Sequence, residues 1–542
     1  MNQRRFDLSR IKRINRIYRN SSGILQGFFR NSSGIPVIFD VSPDVFRQIG
    51  SIPEHYPGAA RAAGMAAKKK HAKLHNAFAS PLLWGAVGFL CYLPYFLAFY
   101  PGVTTPDSIW QIRQALHLVP YNSQHPFLHT LFIELCMRIG GGDVNRGNAV
   151  YSLLQMGFLC VCYQAVLTML RKELAPRWFL VLCWMFFFLC PYCAVYSITM
   201  WKDVPFGAAV LVLFVYVWHR CRRQAVWTPG AQILFFVLSL LVSLLRSNGF
   251  IAWCIFILVF ALADWRRFRR LLVPSVLVIL CTILWNGPIQ NACGVEKADF
   301  TEALSIPLQQ VTYTVIEDEK DEEHELITED EYAVLSEVMD VTKAADMHDT
   351  WLADATKDLV RQSGGGEKIK AHPFRYAAVY LRIGLRNPKC YRKAWYDQTY
   401  GYYMPTPGTK AGYSSEVQEN DIGLVRTYHL PYAAVIFMYN ILNNFTQVYT
   451  YAWCAAYNFY LLAASMIVLK VRAHRYVRRG HARTGTAALS LGTAYVYMLP
   501  LGVLITVLLS TPVANDLRYV WALFLSWLPG IYMAAAPPAG RK

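Results

Sequence analysis

Ten apolar runs, each approaching the ~20 residues that cross a bilayer as a helix, dominate the chain and leave little choice of fold. They cover residues 80–100, 149–170, 178–196, 204–218, 231–245, 249–263, 271–285, 451–469, 487–509 and 519–535. Only 16% of the 542 residues are charged, where a soluble protein carries roughly a quarter. The expected fold class is therefore mainly α: a polytopic membrane helix bundle of about ten spans.

Orientation follows from Lys and Arg, which short cytoplasmic loops retain. Residues 1–75 hold 14 Lys/Arg against 4 acids. Basic clusters recur at Arg171/Lys172/Arg177, Arg220/Arg222/Arg223, 266–270, 470–483 and Arg541/Lys542. If the first run leads outward, all of them fall on the cytoplasmic side, with both termini. That count requires the short apolar stretches 127–140 and 430–448 to lie in the interface without crossing. The net charge of +18 then reflects topology and not nucleic-acid binding, which would set basic and aromatic residues on one folded face. The leader either rests on anionic lipid or is a disordered basic tail, and no cleavable signal peptide precedes residue 80.

Four regions result: a basic cytoplasmic leader (1–79), a transmembrane module (80–286) with a first outer loop (101–147), an acidic extracytoplasmic domain (287–447) and three closing spans (448–542). The outer domain holds 24 of the 35 acids and 15 Lys/Arg, a net of −9. Ten acids crowd 317–331, a solvated face without the spacing of a calcium loop. Thr328 and Glu331 form a capping box. Helices are expected near 351–361, 374–386 and 388–400, making the domain mainly helical. Most cysteines lie in apolar runs and act as small apolar residues; Cys293 and Cys390 fall in the outer domain, where they pair or stay free.

Candidate chemistry sits in the outer loops. Thr105 and Pro106 suit an N-cap and first helical position. Ile109, Ile112, Leu116 and Val119 then recur at helical spacing, so 106–120 is expected to be an amphipathic helix lying on the membrane. Asp107 stands in its first turn, where the helix dipole favours a carboxylate. It either stabilises the helix start only or serves as an ionised group at the surface. A second acid, Asp203, follows Lys202 ahead of another helix. Arg246 and Asn248 occupy a hairpin tip, Arg518 precedes the last span, and Gln124 and His125 lie in the first loop. Each alone reads as a capping or snorkelling residue. Together they place carboxylates that can activate a hydroxyl beside cations that can hold a phosphate.

The order of these features resembles the GT-C membrane glycosyltransferases, which include protein O-mannosyltransferases and the aminoarabinose transferases of lipid A. The likeness rests on an Asp in the first outer loop with an interfacial helix, the stretch His125-Pro126-Phe127-Leu128, a second Asp after the third span, a basic hairpin tip and a terminal Arg518-Tyr519. It covers most of 80–286 and the last two spans. One proline stands where the usual pattern has two, and Arg246 replaces a more usual Lys. The resemblance implies Asp107 and Asp203 as catalytic residues, and Lys202, Arg246 and Arg518 on the donor phosphate. Gln124, His125 and Asn248 would support the acceptor. The implied donor is a polyprenyl-phosphate-linked sugar, and the implied acceptor a cell-envelope glycan, lipid or protein. The setting would be the extracytoplasmic face of the bacterial cytoplasmic membrane, among membrane lipids. A divalent ion shared by Asp107 and Asp203 is compatible with it. Two rivals are a transporter or lipid flippase and a non-catalytic envelope assembly protein. Transport needs charges near the membrane midplane, and the runs hold few.

Overall fold

Caps and prolines open the first helix. Ser80 accepts from the amide of Leu83 and Pro81 takes the first position, starting α1 (Pro81–Ala98). The computed structural model describes residues 80–320, 326–405, 414–478 and 491–537. The basic leader, part of the acidic run, the start of the 487–509 run and Arg541/Lys542 lie outside the described residues.

After α1 come α2 (Pro106–Ala115), α3 (Phe127–Ile139), α4 (Val144–Lys172), α5 (Arg177–Leu189), α6 (Pro191–Ser197), α7 (Asp203–Arg222), α8 (Pro229–Leu245), α9 (Ser247–Ala263) and α10 (Leu272–Leu284). A π-helical stretch, Trp285–Ile289, continues α10. A helical domain follows, with α11 (Ser305–Lys320), α12 (Glu329–Ser336), α13 (Asp354–Gln362), α14 (Pro373–Arg386) and α15 (Pro388–Thr399). The chain closes with α16 (Tyr432–Ala452), α17 (Ala455–Arg478), α18 (Met498–Ser510) and α19 (Trp521–Ala535). Among the described residues β-structure is limited to isolated bridges.

Four stretches are long and apolar enough to cross a membrane: α1, α4, α7 and Leu272–Ala292. Counting each bent pair, α5/α6 and α16/α17, as one span gives six. The helices α8, α9 and Tyr495–Ser510 are apolar but shorter. At the centre, α7 is buried along nearly its whole length. Small residues permit this: a Cβ added to Gly207 would lie 2.6 Å from Trp521 Cδ1 of α19. By contrast α10 turns Val273, Val276, Leu280 and Ile283 outward, the pattern of a helix whose solvent is lipid.

The helical domain has its own core, built from Val311, Val315, Leu335, Leu359, Val360, Val379 and Ile383. The expected capping box opens α12, and the three expected helices appear as α13, α14 and α15. Two loops of the bundle hold the domain. Tyr402 donates to the Val513 carbonyl (2.8 Å) and the Ala353 amide to that of Pro512 (2.8 Å). The Glu296 amide donates to the Tyr121 carbonyl of the first loop (2.8 Å).

Two expectations are corrected. Helix α2 ends at Ala115, and Ile109 and Ile112 pack on Ile133, Met137, Tyr151 and Met200. Its apolar face therefore meets protein, which offers closer packing than a lipid surface, while α3 turns Leu135 and Ile139 outward. The 451–469 run straddles a break, since α16 ends at Ala452 and α17 begins at Ala455 with a 60° bend. Stretch 430–448 falls in the first half of this bent pair. Of the two alternatives open for Cys293 and Cys390, the structure has the unpaired one: both are free thiols.

Candidate functional site

A tight crossing of two loops builds the site. Gly102, at φ +123°, passes so close to α4 that an added Cβ would lie 2.1 Å from Ser152 Oγ. The next residue, Val103, donates to the Ile198 carbonyl (2.9 Å) and accepts from the Met200 amide (3.0 Å). Gln155, inside α4, donates to the carbonyls of Tyr196, Ser197 and Thr199 at 2.8–3.1 Å. A buried polar side chain thereby gathers the carbonyls of the turn that ends α6. Ser108 donates to the Met200 carbonyl (2.9 Å) and Trp201 Nε1 to Thr105 Oγ1 (2.9 Å). His129 joins α3 to this frame, bonding Gln111 through Nδ1 (3.0 Å) and Tyr151 through Nε2 (2.8 Å). The start of α2 and the segment ahead of α7 are locked together, and with them Asp107 and Lys202.

Charged groups from four parts of the chain meet here. Arg518 Nη1 lies 3.2 Å from Asp107 Oδ2, and its Nε lies 2.9 Å from Asp516 Oδ2. Arg246, the single extended residue between α8 and α9, pairs with Asp203 at the start of α7. Lys202 Nζ donates to His125 Nδ1 at 2.7 Å. Both guanidiniums stand 4.8 Å from the centre of the Tyr519 ring, and Arg518 also lies 5.3 Å from that of Trp201. Aromatic faces hold these cations where water is scarce.

The electrostatics follow from crowding. Burial alone would raise the Asp107 pKa, but Lys202 and Arg518 outweigh it and hold the carboxyl near 2. Its side chain nevertheless remains 37% exposed, against 2% for Asp203. Burial and the adjacent Lys202 push His125 down to about 3. The ring is neutral at pH 7, and because Nδ1 accepts from Lys202, its hydrogen sits on Nε2. Burial lowers the Lys202 pKa against the pull of Asp107 and Asp203. Burial also raises that of Asp516 despite Arg518.

A cavity of about 320 Å³ adjoins the cluster at His125. Its wall includes Trp285, Asn286, Gln290, Asn291 and Lys297, mostly from the extension of α10. Amides and an indole make most of the hydrogen-bonding surface, with Lys297 its one cation among the described residues, while the paired charges lie beyond His125.

Six of the eight residues singled out from sequence converge: Asp107, His125, Lys202, Asp203, Arg246 and Arg518. Gln124 stands at the cavity wall and reaches Glu302 of the helical domain (3.2 Å). Asn248 instead donates to Thr506 of α18 (3.1 Å), holding α9 and not the cluster. A divalent ion fits poorly. Asp107 and Asp203 each face a guanidinium, and no group of three or more His, Cys, Asp or Glu among the described residues is placed to hold a metal. Gln155, His129, Asp516 and Trp201 went unforeseen, and Tyr519, noted only as part of the Arg518-Tyr519 motif, proves to be the ring over which both guanidiniums sit. A glutamine inside an apolar run and a carboxylate two residues before Arg518 were the available signals.

A family model described as a family of unknown function (DUF6020) matches residues 117–535, more than three quarters of the chain. The match starts after α2 and takes in His125, Lys202, Asp203, Arg246 and Arg518. No curated protein and no solved structure matches the chain.

Proposed function

Since the chain belongs to the DUF6020 family, whose description names no activity, we propose from the site itself that it is a membrane glycosyltransferase of GT-C type. In this reading a sugar passes from a polyprenyl-phosphate carrier to a hydroxyl of a cell-envelope glycan, lipid or protein. The observation that carries it is one solvent-reachable carboxylate, Asp107, held between Lys202 and Arg518 in a cluster that a polar cavity adjoins at His125.

The chemistry follows from that arrangement. The carrier phosphate takes the place of Asp107 as partner to Lys202 and Arg518, in charge-assisted bonds strengthened by burial. Relieved of those cations, Asp107 becomes a stronger base and removes the acceptor proton. The acceptor oxygen bonds the sugar's anomeric carbon while the bond from that carbon to the phosphate oxygen breaks. The electron pair leaves with the polyprenyl phosphate, where the cations stabilise it. Asp203 and Arg246 keep the start of α7 in place. No step runs through a metal.

Topology in this reading has ten spans, both termini cytoplasmic, and the cluster with the helical domain on the extracytoplasmic face of the cytoplasmic membrane. Helices α8 and α9, of 17 residues each, rise ~26 Å at 1.5 Å per residue, close to a ~30 Å hydrocarbon core. Charges crowd the helix ends, which favours transfer at the surface over transport through the bundle.

The test is transfer by the purified protein from polyprenyl-phosphate sugars to envelope acceptors. Wild type should transfer, and Asp107→Asn should be slower by about 10²–10⁴-fold. Absence of transfer with every donor, or an Asn variant as fast as wild type, removes the proposal.

A further inference from the structure

Helix α14 is apolar on two opposite sides. Val379 and Ile383 enter the domain core. On the other side Phe374, Leu381 and Leu385 are 90%, 58% and 82% exposed, and at ~100° per residue they fall within about 40° of one another. Ala377 and Ala378 are exposed beside them. A contiguous apolar stripe of this kind marks a contact surface.

The charge within its own stretch of sequence is one-signed. From residue 368 to 396 the chain holds eight Lys/Arg and no Asp or Glu, inside a region that carries 24 acids. Arg375 and Arg386 reach back to Glu337 and Glu331, and Lys370 and Lys393 pair with Glu367 and Asp397, whereas Arg382, Lys389 and Arg392 are exposed. Phe and Leu on one face with Lys and Arg beside it is the composition of helices that lie in a lipid interface.

Position supplies the third argument. Helix α15 ends against the bundle, where Trp395 Nε1 donates to the Leu508 carbonyl (2.9 Å) and Gln398 Nε2 to that of Thr511 (3.3 Å). Leu508 lies in the last turn of apolar α18, and its neighbour Leu509 is 65% exposed. The basic helix pair is thus tied to the level at which an apolar helix ends. Hydrocarbon gives way to headgroups at such a level, and amphipathic indoles such as that of Trp395 favour it.

We propose that α14 and α15 form a foot resting on the anionic lipid surface of the membrane. Phe374, Leu381 and Leu385 dip among the acyl chains, and Arg382, Lys389 and Arg392 meet lipid phosphates. This holds whether or not the protein transfers sugars.

The full chain, carrying a genetically encoded fluorescent residue at Leu385 or at exposed Glu329 as control, is placed in phosphatidylcholine nanodiscs with spin-labelled lipid. Quenching should be several-fold stronger at 385 than at 329. It should increase with phosphatidylglycerol, and Arg382→Glu with Lys389→Glu should abolish that increase. Equal weak quenching at both positions overturns the proposal. So does a probe at 385 that is shielded from water yet untouched by spin-labelled lipid, the signature of a second copy covering the stripe. Quenching indifferent to phosphatidylglycerol overturns the part given to the basic residues.

Discussion

The two ends of α7 carry comparable charge and use it in opposite ways. At its C-terminal end one carboxylate, Glu173, takes His219 Nδ1 (2.6 Å), Arg222 Nε (3.0 Å) and Arg223 Nε (2.5 Å), and is 3% exposed. The guanidiniums of Arg222 and Arg223 also reach the carbonyls of Pro537 and Lys172, and Tyr532 donates to the Glu173 carbonyl (2.7 Å). That end is a clamp joining α4, α7 and α19. At the N-terminal end Asp203 and Arg246 form a similarly closed pair, but beside them Lys202 leans on a neutral imidazole and Asp107 stays open to solvent. Saturated charges hold helices together, and incompletely matched charges beside a cavity are available to a ligand.

The sharpest break of this contrast is at the clamp. Glu173→Ala leaves Arg222 buried without its carboxylate and should cost about 3–5 kcal/mol, read as a fall in melting temperature. If melting is unchanged, the clamp reading fails. At the other end Lys202→Met should slow transfer by about 10²–10³-fold, or ~2.7–4 kcal/mol in the barrier, with a smaller loss of melting temperature than at the clamp. The exposed clamp residue Arg223, changed to Met, should leave transfer rates alone; equal kinetic effects would erase the distinction.

Acidification distinguishes the ends further. His125 and His129 are both held near 3 by burial and by Lys202, so the unfolded chain, at the ordinary value of about 6.5, binds protons first. Stability then falls as pH drops from about 6.5 toward 3, by on the order of 2 kcal/mol per imidazole at pH 5. Thermal melts between pH 7 and 5 should show the loss, and His129→Gln should reduce it. Asp107, held near 2, adds its own loss only between about pH 4 and 2. The smallest effect is expected for Asn248→Ala, about 1 kcal/mol from one hydrogen bond to Thr506, with transfer rates intact.

Helix existence and the gathering of Asp107, Lys202, Asp203, Arg246 and Arg518 into one cluster were legible because each lies near the end of an apolar run. Pair identity was not. Nothing in spacing says that Arg246 meets Asp203 while Arg518 meets Asp107, because that depends on how α7 and α19 pack. The resting place of α2 was missed for a related reason: periodicity reveals an apolar face but not whether lipid or protein covers it. Gln155 was hidden because its role, serving carbonyls 41 to 44 residues away, exists only in the folded chain.

The near-complete burial of α7 also sets an order of assembly. Its neighbour α19, whose Trp521 closes over Gly207, is synthesised about 300 residues later, roughly 15–60 s at the pace of a ribosome making 5–20 residues per second. Throughout that interval the face of α7 around Gly207 waits for the helix that covers it. The protein's most vulnerable moment is therefore a kinetic one. Substitutions on the facing surfaces of α7 and α19 should first appear as chains degraded during insertion, before any loss of activity in the molecules that finish.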